Sequence, residues 1–148
     1  MTDRDPLALE EQVCFALAVA SREVVAAYRT VLEPLGLTHP QYLVMLALWQ
    51  QDEPSVKELS ALLHLDPGTL SPLLKRLETM GLLTRTRSTS DERVLVVGLT
   101  DDGRALRHTA LAVPTTMLAR LGMSETDLVA TNTMLHRIID AAHASVTA

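Results

Sequence analysis

A chain of 148 residues is the length of one domain, or of one subunit that completes its core by pairing, and is too short for two independent enzyme domains. Apolar residues are 47% and charged residues 21% of the chain, and no apolar run approaches the ~18 residues of a membrane span, which excludes long disordered tracts and transmembrane helices. The net charge of −5 is unevenly spread: between Pro67 and Arg93 the bases Lys75, Arg76, Arg85, Arg87 and Arg93 outnumber Glu78, Asp91 and Glu92, a local basic island of the kind that meets phosphates.

Acids at the N-terminus, where a secretory signal carries bases, predict a cytoplasmic protein. From about Pro6, the residues Leu9, Val13, Leu17, Ala20, Val24, Ala27 and Val31 recur every three or four positions until Glu33, Pro34, Leu35 and Gly36, which predicts one long amphipathic helix over about 6–36. Thr38 and Gln41 have capping-box spacing, so a second helix starts at His39 and carries Tyr42, Leu43, Met45, Leu46 and Trp49. Ser55 and Glu58 repeat the device ahead of Leu59, Leu62 and Leu63. Asp66 and Pro67 cap a fourth helix through Leu70, Leu73, Leu74 and Leu77, which stops at Gly81.

Beyond Gly81 the period falls from about 3.6 to about 2. Leu83, Arg85 and Arg87 alternate with Thr84 and Thr86, and a β-rich run from Arg93 to Leu99 follows the polar stretch 88–92, giving a β-hairpin with a charged tip. Thr100 caps a fifth helix, with Asp101 and Asp102 in its first turn, that Pro114 kinks or divides. Ser124 caps the last helix, where Leu128, Leu135 and Ala142 stand seven apart beside Ile138, Ile139 and Val146, a seam suited to a partner helix. With no repeat, low-complexity tract or composition shift, the expected architecture is a single subunit over 1–148, mainly α with a small β-hairpin. A lobe over about 38–100 carries the hairpin, and helices over about 6–36 and 101–147 join two copies.

Two short helices, a tight connection and a hairpin are the order of a winged helix-turn-helix. Leu70, Leu73, Leu74 and Leu77 take one face of the predicted recognition helix and leave Thr69, Ser71, Pro72, Lys75 and Arg76 for the other. Hydroxyls near a helix start can approach base edges or phosphates, and bases further along can fix the helix on the backbone. A plain solvated face would carry similar residues, but not with Arg85, Arg87 and the tip Asp91, Glu92 and Arg93 directly after it.

The segments VKEL at 56–59, DPGTL at 66–70, LLKRLE at 73–78, Gly81 with Leu82, SDER at 90–93, and Leu99 with Thr100 resemble the MarR family of winged-helix repressors over nearly the whole chain. QVCFAL at 12–17, ASR at 20–22, Tyr28 with Arg29, LGLT at 35–38 and PQYLV at 40–44 are most similar to its organic-hydroperoxide-sensing group. The resemblance implies a homodimer joined by its terminal helices on a pseudo-palindromic double-stranded operator. It also implies wings in the minor groove, with Asp91 orienting Arg93 and with Arg85 and Arg87 holding the wing.

The resemblance further makes the single cysteine, Cys14, the peroxide-reactive thiol, supported by Tyr28 and by His39 standing where the family has a second tyrosine; Ala18 replaces a third. A lone helical cysteine is otherwise commonly a small buried hydrophobe. A sensor thiol reacts as thiolate and needs donors or positive charge nearby. Imidazole can replace phenol as donor, whereas an exposed first-turn residue is the plain alternative for His39. Cys14 and Tyr28 are fourteen residues apart on one predicted helix, roughly 21 Å along its axis, so a pair between them needs two chains.

With no second cysteine to resolve it, an oxidised Cys14 would be capped by a low-molecular-weight thiol or overoxidised, and operator release would follow. The alternative keeps the DNA-binding fold but makes the signal a small aromatic or anionic ligand, with Cys14 structural. No resolving cysteine, phosphate loop, nucleophile elbow or HExxH motif supports an enzyme, and no cofactor is expected. His136 and His143 share a helix spacing but lack companions of metal-ligand type.

Overall fold

The structure, a computed structural model, describes residues 4–148. Its elements are α1 (Val13–Leu32), α2 (His39–Gln50), α3 (Val56–Leu63), α4 (Pro67–Thr79), β1 (Leu83–Arg87), β2 (Leu95–Leu99), α5 (Asp101–Ala110), α6 (Val113–Leu121) and α7 (Glu125–Thr147). The chain forms two compact units, one reaching to Leu111 and one over Ala112–Ala148. The division falls inside the stretch 101–147 that the sequence presents as a single dimerisation segment.

In the first unit, α1 begins at Val13, later than the apolar periodicity suggests. Leu9–Glu11 form a separate 3-10 turn, and Gln12 is extended at φ −88 and ψ 120. The reason is local: the Gln12 side-chain amide donates to the Pro6 and Ala8 carbonyls at 2.7 and 3.1 Å, drawing the preceding chain into its own turn. The capping box that opens α2 is complete, with Gln41 N–H donating to Thr38 Oγ1 and Thr38 N–H to Gln41 Oε1. Buried Val44, Met45 and Leu48 from α2, Leu59 from α3, Leu70, Leu74 and Leu77 from α4, and Leu82, Leu83 and Val97 around the hairpin make the core. Truncating one such leucine to alanine costs about 2–5 kcal/mol, so the exposed face of α4 is presented by a well-anchored buried one.

The hairpin pairs antiparallel from Leu83 opposite Leu99 to Arg87 opposite Leu95. Its far edge is covered too, since Val97 N–H donates to the Pro54 carbonyl at 2.9 Å and Ser55 bridges Val96. At its base, Thr100 donates through N–H to the Leu82 carbonyl at 3.1 Å and through Oγ1 to the Gly81 carbonyl at 2.6 Å, while Oγ1 caps α5 by accepting from Gly103 N–H. Gly103 is required there, because a Cβ would collide with the Leu82 carbonyl oxygen and press on Leu99. Trp49 Nε1–H donates to the Gly103 carbonyl at 2.9 Å and so ties the end of α2 to the start of α5.

In the second unit, Pro114 sits in the first turn of α6, where its missing N–H costs nothing, and the predicted fifth helix is accordingly divided into α5 and α6. Gly122, at φ 63, closes α6, and a capping box of Ser124 and Asp127 opens α7. No residue of α7 is buried, although Leu128, Val129, Met134, Ile139 and Val146 lie along it. Among the described residues no helix is long and apolar enough to cross a membrane.

Candidate functional site

The turn from α3 to α4 is built by His64 in the left-handed conformation, φ 53 and ψ 40, followed by Asp66 as N-cap of α4. Asp66 Oδ1 accepts from Thr69 N–H at 2.8 Å and Oδ2 from Thr69 Oγ1 at 3.1 Å. These bonds hold the Asp66 carboxyl below its ordinary range. They also commit the Thr69 hydroxyl proton, leaving that oxygen to act toward a ligand as acceptor. Thr69, Ser71, Pro72, Lys75 and Arg76 are all exposed, on a helix whose Leu70, Leu74 and Leu77 are buried. Pro72, lacking an N–H, cannot donate to the Gly68 carbonyl one turn earlier.

The wing arginines divide by what already holds them. Arg85 is largely buried by its neighbours and clamps Glu78 of α4: Nη2 lies 3.2 Å from Oε1, Nε lies 3.4 Å from Oε2, and the Arg85 backbone N–H donates to Oε2 at 3.1 Å. The Glu78 carboxyl is held below its ordinary value, chiefly by the Arg85 side-chain hydrogen bond. Arg87 Nη1 donates to the Glu92 carbonyl at 2.9 Å, across the tip. Asp91 Oδ1 accepts from Arg93 N–H at 3.1 Å and from Arg93 Nε at 3.3 Å, yet the Arg93 side chain stays 92% exposed. Arg93 is thus aimed and solvated, while Arg85 and Arg87 spend donors inside the protein.

Cys14 is exposed and is the second residue of α1. Gln12 makes no side-chain cap there, and Cys14 stands at the helix end that favours negative charge. Tyr28 lies fourteen residues further along the same helix, roughly 21 Å at 1.5 Å per residue, which excludes contact with Cys14 in one chain. What the fold gathers instead is Tyr28, His39 and Tyr42, with ring centroids 4.9 Å apart for Tyr28 and His39 and 5.8 Å for Tyr28 and Tyr42. His39 is half-buried rather than the exposed first-turn residue of the plain reading.

Burial lowers the His39 pKa from its ordinary 6.5 and raises those of Tyr28 and Tyr42, the latter also through the charge Tyr28 would carry. The cluster is therefore uncharged near neutrality. Burial thus disfavours the imidazolium, the form that would favour a thiolate most strongly. A cavity of about 540 Å³ opens beside it, walled by Val25, Arg29, Leu37, His39 and Pro40 among others. Among the described residues no three His, Cys, Asp or Glu side chains converge as metal ligands.

Two members of these constellations escape sequence reasoning. Tyr42 reads there as a core residue, although its spacing of three from His39 puts both on one helix face. Glu78 reads as one acid among bases, and only its opposite charge to Arg85 across Gly81 hints at the clamp.

A family model described as "Transcriptional regulator SarA/Rot" matches residues 26–109. The chain is 41% identical to the "Organic hydroperoxide resistance transcriptional regulator" of Bacillus subtilis (strain 168), over 94% of this chain and 95% of that one. Among solved structures it is similar to reduced AbfR of Staphylococcus epidermidis bound to DNA, with a TM-score of 0.82 and 30% identity over 93% of this chain and 94% of that one. The overoxidised form of AbfR, also bound to DNA, matches with a TM-score of 0.73 and 30% identity over 90% and 94%.

Proposed function

The chain belongs to the winged-helix MarR/SarA-type transcriptional regulators, which bind DNA, and from that premise we propose that it is a homodimeric repressor that leaves its operator when an organic hydroperoxide oxidises Cys14. The observation that carries this reading is the separation of Cys14 from Tyr28 along α1, with Tyr28 gathered against His39 and Tyr42 of α2. Each half lacks what the other has, and two antiparallel copies of α1 would supply it. The unburied α7, with its exposed apolar residues, gives a second reason for a partner copy.

In the assembled site the Cys14 thiolate attacks the distal peroxide oxygen, and the O–O bond breaks. The leaving alkoxide takes a proton from the partner chain's phenol or from solvent and departs as the alcohol, while sulfur becomes a sulfenic acid. A low-molecular-weight thiol then condenses with it, water leaves, and a mixed disulfide remains. An adduct of that bulk in the first turn of α1 cannot share a packed dimer interface with its neighbours. The subunits rotate, and the two copies of α4 lose the spacing of successive major grooves. That AbfR was solved on DNA in its overoxidised form supports the mixed disulfide, rather than the higher acid, as the state that releases DNA.

Cys14→Ser protein tests the reading directly. It should bind operator as the wild type does and stay bound after peroxide and thiol are added, while wild type releases. Release of Cys14→Ser by the same treatment would replace thiol sensing with a ligand-gated repressor. Tyr28→Phe should slow Cys14 oxidation without preventing it.

A further inference from the structure

We propose that Glu78 is a positioning residue for DNA recognition, setting the wing's angle on the recognition helix through Arg85, which serves as the anchor of that clamp and not as a phosphate contact. Glu78 lies in the last turn of α4 and Arg85 in the middle of β1. One carboxylate takes both the guanidinium and the backbone N–H of the same strand residue, so it fixes where the strand runs as well as where the side chain lies. An N–H that donates to Glu78 points away from β2, so Glu78 caps the open edge of a two-stranded sheet. On the opposite edge the Pro54 carbonyl holds Val97.

The hairpin is therefore gripped on both edges at the middle of its strands, while the bonds at its tip, such as Arg87 to the Glu92 carbonyl and Arg93 to Asp91, stay within the tip itself. A two-stranded ribbon so held moves at the tip as a lever about the Glu78 contact. A small rotation there displaces Arg93, at the far end of the lever, relative to Thr69 and Ser71 on α4. In a winged-helix complex those two ends meet different parts of the duplex, so the clamp determines whether both can engage one operator at once. Arg85 has its fork occupied and its side chain only 23% exposed, against 92% for Arg93. A bidentate arginine already paired in this way has little left to offer a phosphate.

The experiment uses the full-length protein and two duplexes, the full operator and one trimmed of the flanking base pairs that the wing would reach. Affinity is measured over a salt series for wild type, Glu78→Gln, Glu78→Ala and Arg85→Lys, with urea unfolding followed at Trp49 to confirm that each variant is folded. Positioning predicts that all three variants bind the full operator about tenfold more weakly, with Glu78→Gln, which keeps an acceptor for the Arg85 N–H, the mildest. On the full operator the slope of log affinity on log salt should flatten toward that of Arg93→Ala, because a displaced wing loses its phosphate contacts, while on the trimmed duplex it should match wild type. On the trimmed duplex, where wing placement no longer matters, variants and wild type should bind alike. Wild-type affinity in Arg85→Lys, which keeps the cation and loses only the fork, or an equal loss on both duplexes, overturns the proposal: the first would mean that a cation alone suffices at this position, as at a phosphate contact, and the second would make the clamp a general fold support. Unchanged affinity on the full operator overturns it as well.

Discussion

Replacing Arg93 by alanine separates a wing that touches DNA from one that merely decorates the fold. In the free protein the only bond that would be lost at the guanidinium is to Asp91, at 3.3 Å and at a side chain 92% exposed. Solvent screens such a pair to a contribution between nothing and ~1 kcal/mol, so the variant should fold as wild type does. On DNA the consequence is larger, because a dimer brings two wings. Each phosphate contact steepens the dependence of log affinity on log salt by about 0.9, so losing both should flatten the slope by about 1.8. Between about 50 and about 200 mM salt the wild-type affinity should then fall some twelvefold more than that of the variant, by the same relation. Anisotropy of a labelled operator duplex, titrated at several salt concentrations, reads both quantities. Sequence preference should barely change, since a wing in the minor groove meets a largely degenerate pattern of acceptors. If Arg93→Ala kept the wild-type slope, the wing would not be neutralising phosphates and the assignment of its tip would be wrong.

Three further outcomes follow from single positions. Gly103→Ala forces a methyl against the Leu82 carbonyl and should cost about 3 kcal/mol, the upper range for overpacking; Trp49, bonded to the Gly103 carbonyl, reports the shift in urea midpoint, and an unchanged midpoint would contradict the contact. His64→Gly removes a left-handed Cβ penalty at φ 53 and should raise stability by up to ~1 kcal/mol, whereas a loss would mean that the imidazole makes a contact worth more than the strain. The Glu78 carboxyl sits below its ordinary 4.5 because of Arg85, so its contribution to stability is complete above that pH and disappears as pH falls through the lower folded value. The stability gap between wild type and Glu78→Gln at about pH 6 should therefore narrow at about pH 3, and a gap that widened would refute the sign.

How much of this could be read in advance depended on how local each cause is. Thr38 with Gln41, Asp66 with Pro67, and Ser124 with Asp127 settle helix starts within a few residues, and all three caps form where their spacing puts them. The start of α1 differs from the one the periodicity predicts because the apolar stripe continues through Leu9, while hydrogen bonds of one side chain, Gln12, set where the helix begins. The bridge from Ser55 to Val96 has no period to detect, being a single residue pair brought together by the fold of the whole lobe. Likewise Glu78 and Arg85 meet only once the chain has reversed at Gly81, at φ 78. The thiol half of the site was legible as a residue and a position. Its aromatic half gained Tyr42 only when α2 was laid against α1.

If one thiol from each chain reacts at a cluster belonging to the other, purified mixed dimers will show it. One chain carries Cys14→Ser with Tyr28 intact, and its differently tagged partner carries Tyr28→Phe with Cys14 intact. That dimer holds one complete site if sites are shared, and none if they are not. The rate of Cys14 oxidation by an organic hydroperoxide, followed by mass, should equal the per-site rate of wild type and exceed that of the Tyr28→Phe homodimer. A mixed dimer as slow as the Tyr28→Phe homodimer would contradict the shared site.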